Sequence, residues 1–324
     1  MSIHRLVILG VGWFAAVALH AQAWLPGRGE GSVSISYLGL FSSDHLLSSG
    51  QPQNRGPVRQ NIVTAGVIYG ITDRLTVSAE VPYIDSKFNL TPGLAPNAHD
   101  LESKVDDGRY RGTFQDFRIG LKFNAIRRGL MFTPFLEAVV PSHSYVTFGH
   151  AAPGKDLREL HLGSDVGRLL NPFLPRAYFD LRCSYAFVQP LDGMNIDRTN
   201  ADLEVGYFVK STIAIRAIGS VQKTLGGLES PVSPDNPFFA DHDRLERGHY
   251  SRMGVGLTLS VSRNIDLFFM IVTTLSGKNA QSFTAPGVGL SWNFQRRRAR
   301  ERSAAMVPDK TSGTDLGTVE QLAK

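Results

Sequence analysis

The chain of 324 residues holds a single cysteine, Cys183. No internal disulfide can form, so an oxidising compartment has to be met without covalent staples. Beyond residue 23 there is no apolar run of about 18 residues or more, which excludes a helical membrane span. The body of the chain also lacks a strong charge of one sign. The formal net charge is +5, but residues 295–324 hold seven Lys or Arg against four Asp or Glu, and Arg5 is the only charged residue before 24. Residues 24–294 are therefore close to neutral. They show no basic, aromatic-interleaved face, so nucleic-acid binding is not expected. A metal motif is missing as well. Asp235, Asp241, His242, Asp243 and Glu246 fall in one segment, but at spacings that match no calcium loop. They read as a solvated acidic loop, and neither a metal nor another cofactor is expected.

What is present begins at the ends. Arg5, the short apolar stretch Leu6 to Leu19 and the small-residue site Ala21-Gln22-Ala23 have the form of a cleaved secretory leader over 1–23. Near the other end, Val288 to Phe294 alternates strictly. Val288, Leu290, Trp292 and Phe294 are bulky and apolar, whereas Gly289, Ser291 and Asn293 are small or polar. That is the pattern of a closing strand with one face to lipid and the other to a polar lumen. It is also the expected signal for a barrel-assembly machinery. After it, Arg296, Arg297, Arg298, Arg300 and Arg302 open a polar tail over 295–324 whose composition predicts disorder.

Between these ends, period-two segments alternate with turn-like breaks. In the fourth segment Phe117, Ile119, Leu121 and Phe123 oppose Arg118, Gly120 and Lys122. In the eighth, Leu203, Val205, Tyr207 and Val209 oppose Asp202, Glu204 and Gly206. In the tenth, Met253, Val255, Leu257, Leu259 and Val261 oppose Arg252, Gly254, Gly256, Thr258 and Ser260. A charge on the lipid face costs a few kcal/mol at bilayer depth, so the charged faces belong in the lumen. Short breaks at Gly70–Arg74, Asn124–Gly129, Asn171–Pro175, Lys210–Thr212 and Ser262–Asn264 alternate with longer ones near 44–59, 86–111, 146–157, 190–197, 225–248 and 276–281. Short periplasmic turns and long extracellular loops have this form. The expectation is an all-β protein: an antiparallel up-and-down transmembrane barrel of about twelve strands over 24–294 in the bacterial outer membrane. The 86–111 loop is long enough to fold inward and narrow the lumen.

Turn centres give a first view of that lumen. A turn centred on Lys210 sets Glu204 opposite Arg216, and a loop centred on Gly193 sets Arg182 opposite Glu204. A turn centred between Arg127 and Arg128 sets Arg118 opposite Glu137. These residues predict an interior belt of opposite charges, with Asp180, Asp202, Asp165, Glu80, Lys122 and Arg252 nearby. Such a belt is either a constriction selecting a polar or anionic solute or a structural network filling a narrow barrel. Enzymatic chemistry finds little support. His143 lies between Ser142 and Ser144, and His161 and Ser164 have opposite parity, so strand geometry points each pair to opposite faces. A serine nucleophile needs a base within hydrogen-bond reach, and no His-x-Ser-Asn-Gly signature of outer-membrane phospholipases surrounds them.

The lead-in Pro26 with Gly29-Glu30-Gly31, the turn Gly70-Ile71-Thr72-Asp73-Arg74-Leu75 and the following Thr76 to Tyr83 resemble a family of outer-membrane transporters associated with the meta-cleavage pathway of phenol degradation. The resemblance implies uptake of hydrophobic or aromatic compounds and supplies no ligand residues. The tail after Phe294 departs from the family pattern, which ends close to the terminal aromatic strand. The first functional expectation is a passive channel for small solutes, with outer-membrane lipid, the assembly machinery and the solute as partners. The alternatives are a structural or adhesive surface barrel and a lipid hydrolase. The oligomeric state is left open.

Overall fold

The computed structural model describes residues 23–96 and 98–294. The expected leader, apart from Ala23, and the expected tail lie outside them. Fourteen β-segments follow one another: β1 (Gly31–Leu46), β2 (Pro52–Gly70), β3 (Leu75–Phe88), β4 (Arg111–Phe114), β5 (Phe117–Phe123), β6 (Ile126–Arg128), β7 (Leu130–Val140), β8 (Glu159–Leu169), β9 (Ala177–Val188), β10 (Asp197–Lys210), β11 (Ile213–Leu225), β12 (His249–Ser260), β13 (Ile265–Lys278) and β14 (Ala280–Phe294). Each wall strand pairs with its sequence neighbour in antiparallel fashion, and β14 returns to pair with β1. Both β4 and β5 lie along β3, through Tyr83↔Phe114 and Glu80↔Arg118, so they share one position in the wall. β6 pairs only with the start of β7. The wall is a closed barrel of twelve strands.

Closure follows from solvent. Inside a bilayer no water is available to satisfy a free strand edge, so the sheet has to bond to itself all the way round. The period of two then divides every strand between two media. Val33, Ile35, Val63, Val67, Ile119, Leu121, Leu203, Val205, Met253 and Val255 stand exposed on the outside, where they meet lipid tails. Alternate positions turn inward. The expected closing-strand residues occupy the outer face: Val288 lies opposite Tyr37, Leu290 opposite Ile35 and Trp292 opposite Val33, while Phe294 stacks on Tyr69 with ring centroids 6.3 Å apart. At the other rim Tyr83 meets Phe114 edge-on at 5.4 Å. Amphipathic rings at both rims match the two membrane interfaces.

The loop pattern needs correction at its first and last extracellular connections. β1 and β2 continue their ladder to Leu46↔Pro52, so the connection is 47–51 rather than 44–59. β13 and β14 are joined at Asn279, held at φ 45°, instead of by a six-residue loop. Strand pairing runs on past the apolar band in both hairpins, because polar residues such as Asp44, Gln53 and Asn54 can be paired as readily as solvated. Long connections remain at 89–110, 141–158, 189–196 and 226–248.

Gly289 shows how tightly the closing strand is set. A Cβ there would lie 2.0 Å from Cζ of Phe268 and 2.8 Å from the Ile35 carbonyl oxygen. The lumenal Phe268 ring lies across the glycine, and neither ring nor backbone can withdraw without opening the seam. Gly289→Val should therefore abolish the heat-modifiable gel shift of the folded barrel, while Ser291→Ala on the same face should leave it intact.

Candidate functional site

The lumen contains the charges expected of it, in a register of its own. β9 to β12 set Asp180 beside Glu204, Arg182 beside Asp202, and Gly206, Arg216 and Gly256 in one row. The expected direct pairing of Glu204 with Arg216 is thus displaced by two residues, as is that of Arg118 with Glu137, since Arg118 faces Val139 and Glu137 faces Gly120. Both pairs nevertheless meet along the diagonal. Arg216 Nη1 donates to Glu204 Oε2 at 3.0 Å, and Arg118 Nη1 to Glu137 Oε1 at 2.9 Å. Long side chains bridge a register error that a short pair would not.

Arg182 is different. It was expected opposite Glu204, but the tight turn at Asp192–Gly193 and the extra residues after it move the register, and Asp202 becomes its neighbour. Its guanidinium reaches the other way, to Glu137 at 3.2 Å and Asp165 at 3.8 Å, lying 3.8 Å over the Phe135 ring. Lys122 Nζ completes this group at 2.9 Å from Asp165. Tyr178 donates its hydroxyl to Glu204 at 2.6 Å. Arg252 lies between the Tyr250 and Phe283 rings, at 3.4 and 4.6 Å.

The signs in this belt do not cancel. Its carboxylates are Glu80, Glu137, Asp165, Asp180, Asp202 and Glu204, against Lys122, Arg118, Arg182, Arg216 and Arg252. Asp116 and Asp266 add negative charge above and below. Among the described residues Glu80 and Asp202 make no direct ion pair, and both remain partly exposed to the lumen. The belt therefore carries one more carboxylate than cationic groups.

Sequence reasoning missed what enters the lumen from the periplasmic end. In the uncleaved chain Ala23, the last residue of the expected leader, donates its N–H to Asp180 Oδ2 at 2.7 Å and accepts from Thr133 Oγ1 at 2.9 Å. Trp24 packs edge-on against Tyr178, with centroids 6.0 Å apart. The segment is pinned from outside. Gly29 N–H bonds the Gly70 carbonyl at 2.8 Å, Gly70 N–H bonds the Glu30 carbonyl at 2.9 Å, and Arg28 N–H reaches Asp73 Oδ1 at 3.1 Å. Gly70 has to be glycine here, since a Cβ would lie 2.2 Å from the Gly27 carbonyl oxygen. The lead-in and the first turn, far apart as motifs, are one interlocked unit.

Two connections fold inward at the extracellular end. The expected one, 89–110, buries Val105 against Val58 and Phe88, and the chain between β7 and β8 joins it, with Gly149, Ala151, Ala152, Pro153, Gly154 and Leu157 buried. The 89–110 connection supports it: Asp106 accepts the N–H groups of His150 and Ala151, both at 2.8 Å. From the 226–248 connection, Asp243 accepts Gly149 N–H at 3.0 Å, and Arg244 donates to the Lys155 and Asp156 carbonyls at 2.9 and 3.0 Å. Glu246 meets His45 at 3.0 Å, and Asp241 meets Arg244 at 3.0 Å. Asp243 and Glu246, expected to be solvated, thus tie this connection to other segments, whereas Asp241 pairs within it and Asp235 stays exposed. Leu157, Ile196 and Leu245 pack with Ala186 and Val188 beneath them. Among the described residues no group of His, Cys, Asp and Glu could hold a metal ion.

The serine and histidine residues divide. His161 turns to Glu159 at 2.8 Å in the lumen. Ser142 and His143, expected to face apart, are in contact at 2.8 Å because β7 has ended before them. The other ring nitrogen of His143 meets Thr113 at 3.0 Å, so no carboxylate orients it.

Taken together, the closed wall, the lipid-facing exterior and the charged lumen define an outer-membrane β-barrel. Its fold is similar to the crystal structure of an outer membrane channel from Pseudomonas putida F1, with a TM-score of 0.64 and 11% identity over 85% of this chain and 99% of that one. More distant are the β domain of the Bordetella autotransporter BrkA (TM-score 0.48, 10% identity, 82% of this chain and 100% of that one) and the Pseudomonas putida toluene transporter TodX (TM-score 0.40, 11% identity, 89% and 94%). No family model matches the sequence, and no curated protein does.

Two measurements follow. With Glu80→Gln and Asp202→Asn combined, the cation-over-anion permeability ratio in planar bilayers should fall about twofold; an unchanged ratio would remove these carboxylates from the ion path. The second concerns the loops. Burial, with Arg198 nearby, pushes the Lys155 ammonium from 10.5 down to about 8. Open loops would return it to its ordinary value, so between these values the open form binds more protons, and raising pH strengthens closure. Stepping external pH from about 7 to about 9.5 should lower mean conductance, and Lys155→Met should abolish the response.

Proposed function

We propose that the protein is a passive channel through which small solutes cross the outer membrane by way of the barrel lumen. The observation that carries this reading is the state of the lumenal side chains. Ser34, Ser36, Ser78, Glu80, Glu137, Arg182, Asp202, Ser220 and Thr258 all point inward and all remain partly exposed. In a barrel packed solid they would be buried, as in the narrowest eight-stranded barrels, whose interiors side chains fill. Twelve strands leave room for water beside the ion pairs. The fold shared with the Pseudomonas putida F1 outer membrane channel is consistent with it.

The lumen is two-sided, and this supports hydrophobic or aromatic compounds as part of the solute range. Most charged residues line β5 to β12, whereas Leu38, Ile62, Ile68 and Ile84 on β1 to β3 and Met270 on β13 stand among mainly uncharged side chains such as Ser34, Ser36 and Ser78, with Glu80 and Asp266 as exceptions. A solute with an apolar body can slide along one wall while its polar groups face the other. Lipid and the barrel-assembly machinery complete the partner set of this reading, the latter recognising Val288, Leu290, Trp292 and Phe294 within the chain.

Proteoliposomes tested by swelling with sugars, amino acids and aromatic acids provide the experiment. Swelling is expected for the smallest members of each group and should be faster for aromatic acids than for sugars of equal mass. No swelling with any of them would overturn the channel in favour of a structural or adhesive barrel.

A further inference from the structure

The outer face of the wall carries three successive rows of a different character near its extracellular end. Register sets Tyr37, Val63, Tyr83 and Phe114 side by side across β1 to β4, all exposed on the exterior. Two residues further out, Gly39, Asn61, Asp85 and Gly112 form a second row. Beyond it, Phe41, Arg59 and Lys87 form a third. The alternate positions Val58, Gln60, Ile84 and Ser86 are buried on the lumenal side. Lys87 Nζ lies 4.7 Å from the centre of the Tyr110 ring, just before β4.

Arg59 and Lys87 are direct cross-strand partners, and like charges in that position repel each other. Among the described residues neither joins an ion pair. Of the carboxylates on this side, Asp107 is taken by Arg111, and Asp85 stands one row nearer the rings, opposite Asn61 and Gly112. Such a pair is ordinarily left to water, but its height gives it another neighbour. Arg59 lies ten residues along β2 from Tyr69, whose ring meets Phe294 at the periplasmic rim. That separation is roughly 33 Å of strand and, at a tilt of about 40°, roughly 25 Å along the membrane normal. The apolar band of an outer-membrane barrel has this height. The two cations therefore stand where hydrocarbon ends and headgroups begin, while β1 and β2 run on to Leu46 and Pro52 above.

The rows below the cations define the chemistry of what they meet. A Cβ on Gly39 would lie 3.1 Å from the Tyr37 hydroxyl oxygen, and one on Gly112 would lie 2.1 Å from that of Tyr83. The glycines thus let both rings lean along the wall, which brings their hydroxyls into the second row beside Asn61 and Asp85. The Tyr37 hydroxyl donates to Asn61 Oδ1 at 2.8 Å. From the membrane outward the surface offers rings for acyl chains, then hydroxyl, amide and carboxylate groups, then two cations for a phosphate. We propose that it binds a phosphorylated glycolipid of the outer leaflet. The acyl chains lie along Tyr37 and Tyr83, the sugar hydroxyls meet Asn61 and Asp85, and a phosphate sits between Arg59 and Lys87. A glycerophospholipid has no sugar between its chains and its phosphate, and would leave the polar row without a partner. The site is on the exterior, so it goes beyond the channel reading and does not depend on it.

The test is native mass spectrometry of the full-length barrel in detergent, titrated with bisphosphorylated lipid A, the same lipid stripped of phosphate, phosphatidylglycerol and inorganic phosphate. One lipid A should be retained per barrel. The dephosphorylated lipid and phosphatidylglycerol should each bind at least about tenfold more weakly, and inorganic phosphate should not be retained. Arg59→Gln combined with Lys87→Gln should weaken lipid A binding about tenfold, with the gel shift of the folded barrel and the swelling of proteoliposomes unchanged. Arg127→Gln combined with Arg128→Gln, at the periplasmic end, should leave lipid A binding as it was. Should the first double variant fail to assemble, Arg59→Gln alone decides, with a severalfold loss expected. Equal binding of the dephosphorylated lipid would reduce the surface to chain packing, and equal binding of phosphatidylglycerol would reduce it to a site for any anionic lipid; either overturns the proposal. So would undiminished lipid A binding in a folded variant.

Discussion

The hydrogen-bonded seam between β14 and β1 is the contact on which the rest of the barrel depends. A strand edge left open in hydrocarbon would carry a row of unsatisfied N–H and C=O groups, each costing several kcal/mol. The seam runs from Gly31↔Phe294 to Leu46↔Ala280 and removes that edge. Once it is closed, every strand is fixed between lipid and lumen, and a slip of one residue would turn the whole strand inside out. The charged side chains then have one place to go. Their concentration in the lumen is a consequence of closure before it is a feature of function.

Within the lumen, pairing geometry and side-chain reach work at different scales. The ladder sets which residues are level, but Arg216 and Glu204, or Arg118 and Glu137, bond across two levels because a guanidinium on a long stem spans the diagonal. Arg182 bridges two carboxylates on strands to one side and leaves Asp202 without a direct partner. The resulting belt is a network with an excess of acid, not a set of isolated pairs. The paired members brace the wall, and Glu80 and Asp202 remain partly exposed to the lumen.

Each end of the lumen is occupied by chain from elsewhere. The lead-in segment reaches Tyr178 from below through Trp24, held by its bonds to Gly70 and Asp73. Above, three connections meet over the 148–157 segment, tied by Asp106, Asp243 and Arg244. The belt and the loops therefore form successive layers along one path. The wall is a continuous ladder, whereas the ends depend on a few side-chain bonds and small apolar clusters, and such contacts open at lower free energy than core strands.

The sequence by itself determined the medium and the wall. Period-two faces such as Phe117, Ile119, Leu121 and Phe123, the alternation of turns, and the aromatic closing strand are local signals, and closure of twelve strands follows from them. It also determined which charges share the lumen, because strand parity is local. Contact partners were another matter. Register depends on bulges and turn residues, such as those after Asp192–Gly193, that alter spacing by one or two positions without altering composition. The lengths of the first and last extracellular hairpins went unread because polar residues accept a ladder or water equally well. Long-range folding alone decided that Trp24 meets Tyr178, that the 148–157 segment is tied to the connections on either side of it, and that Arg182 lies over Phe135. Those contacts join residues distant in the chain, and nothing in the spacing of either partner records the other.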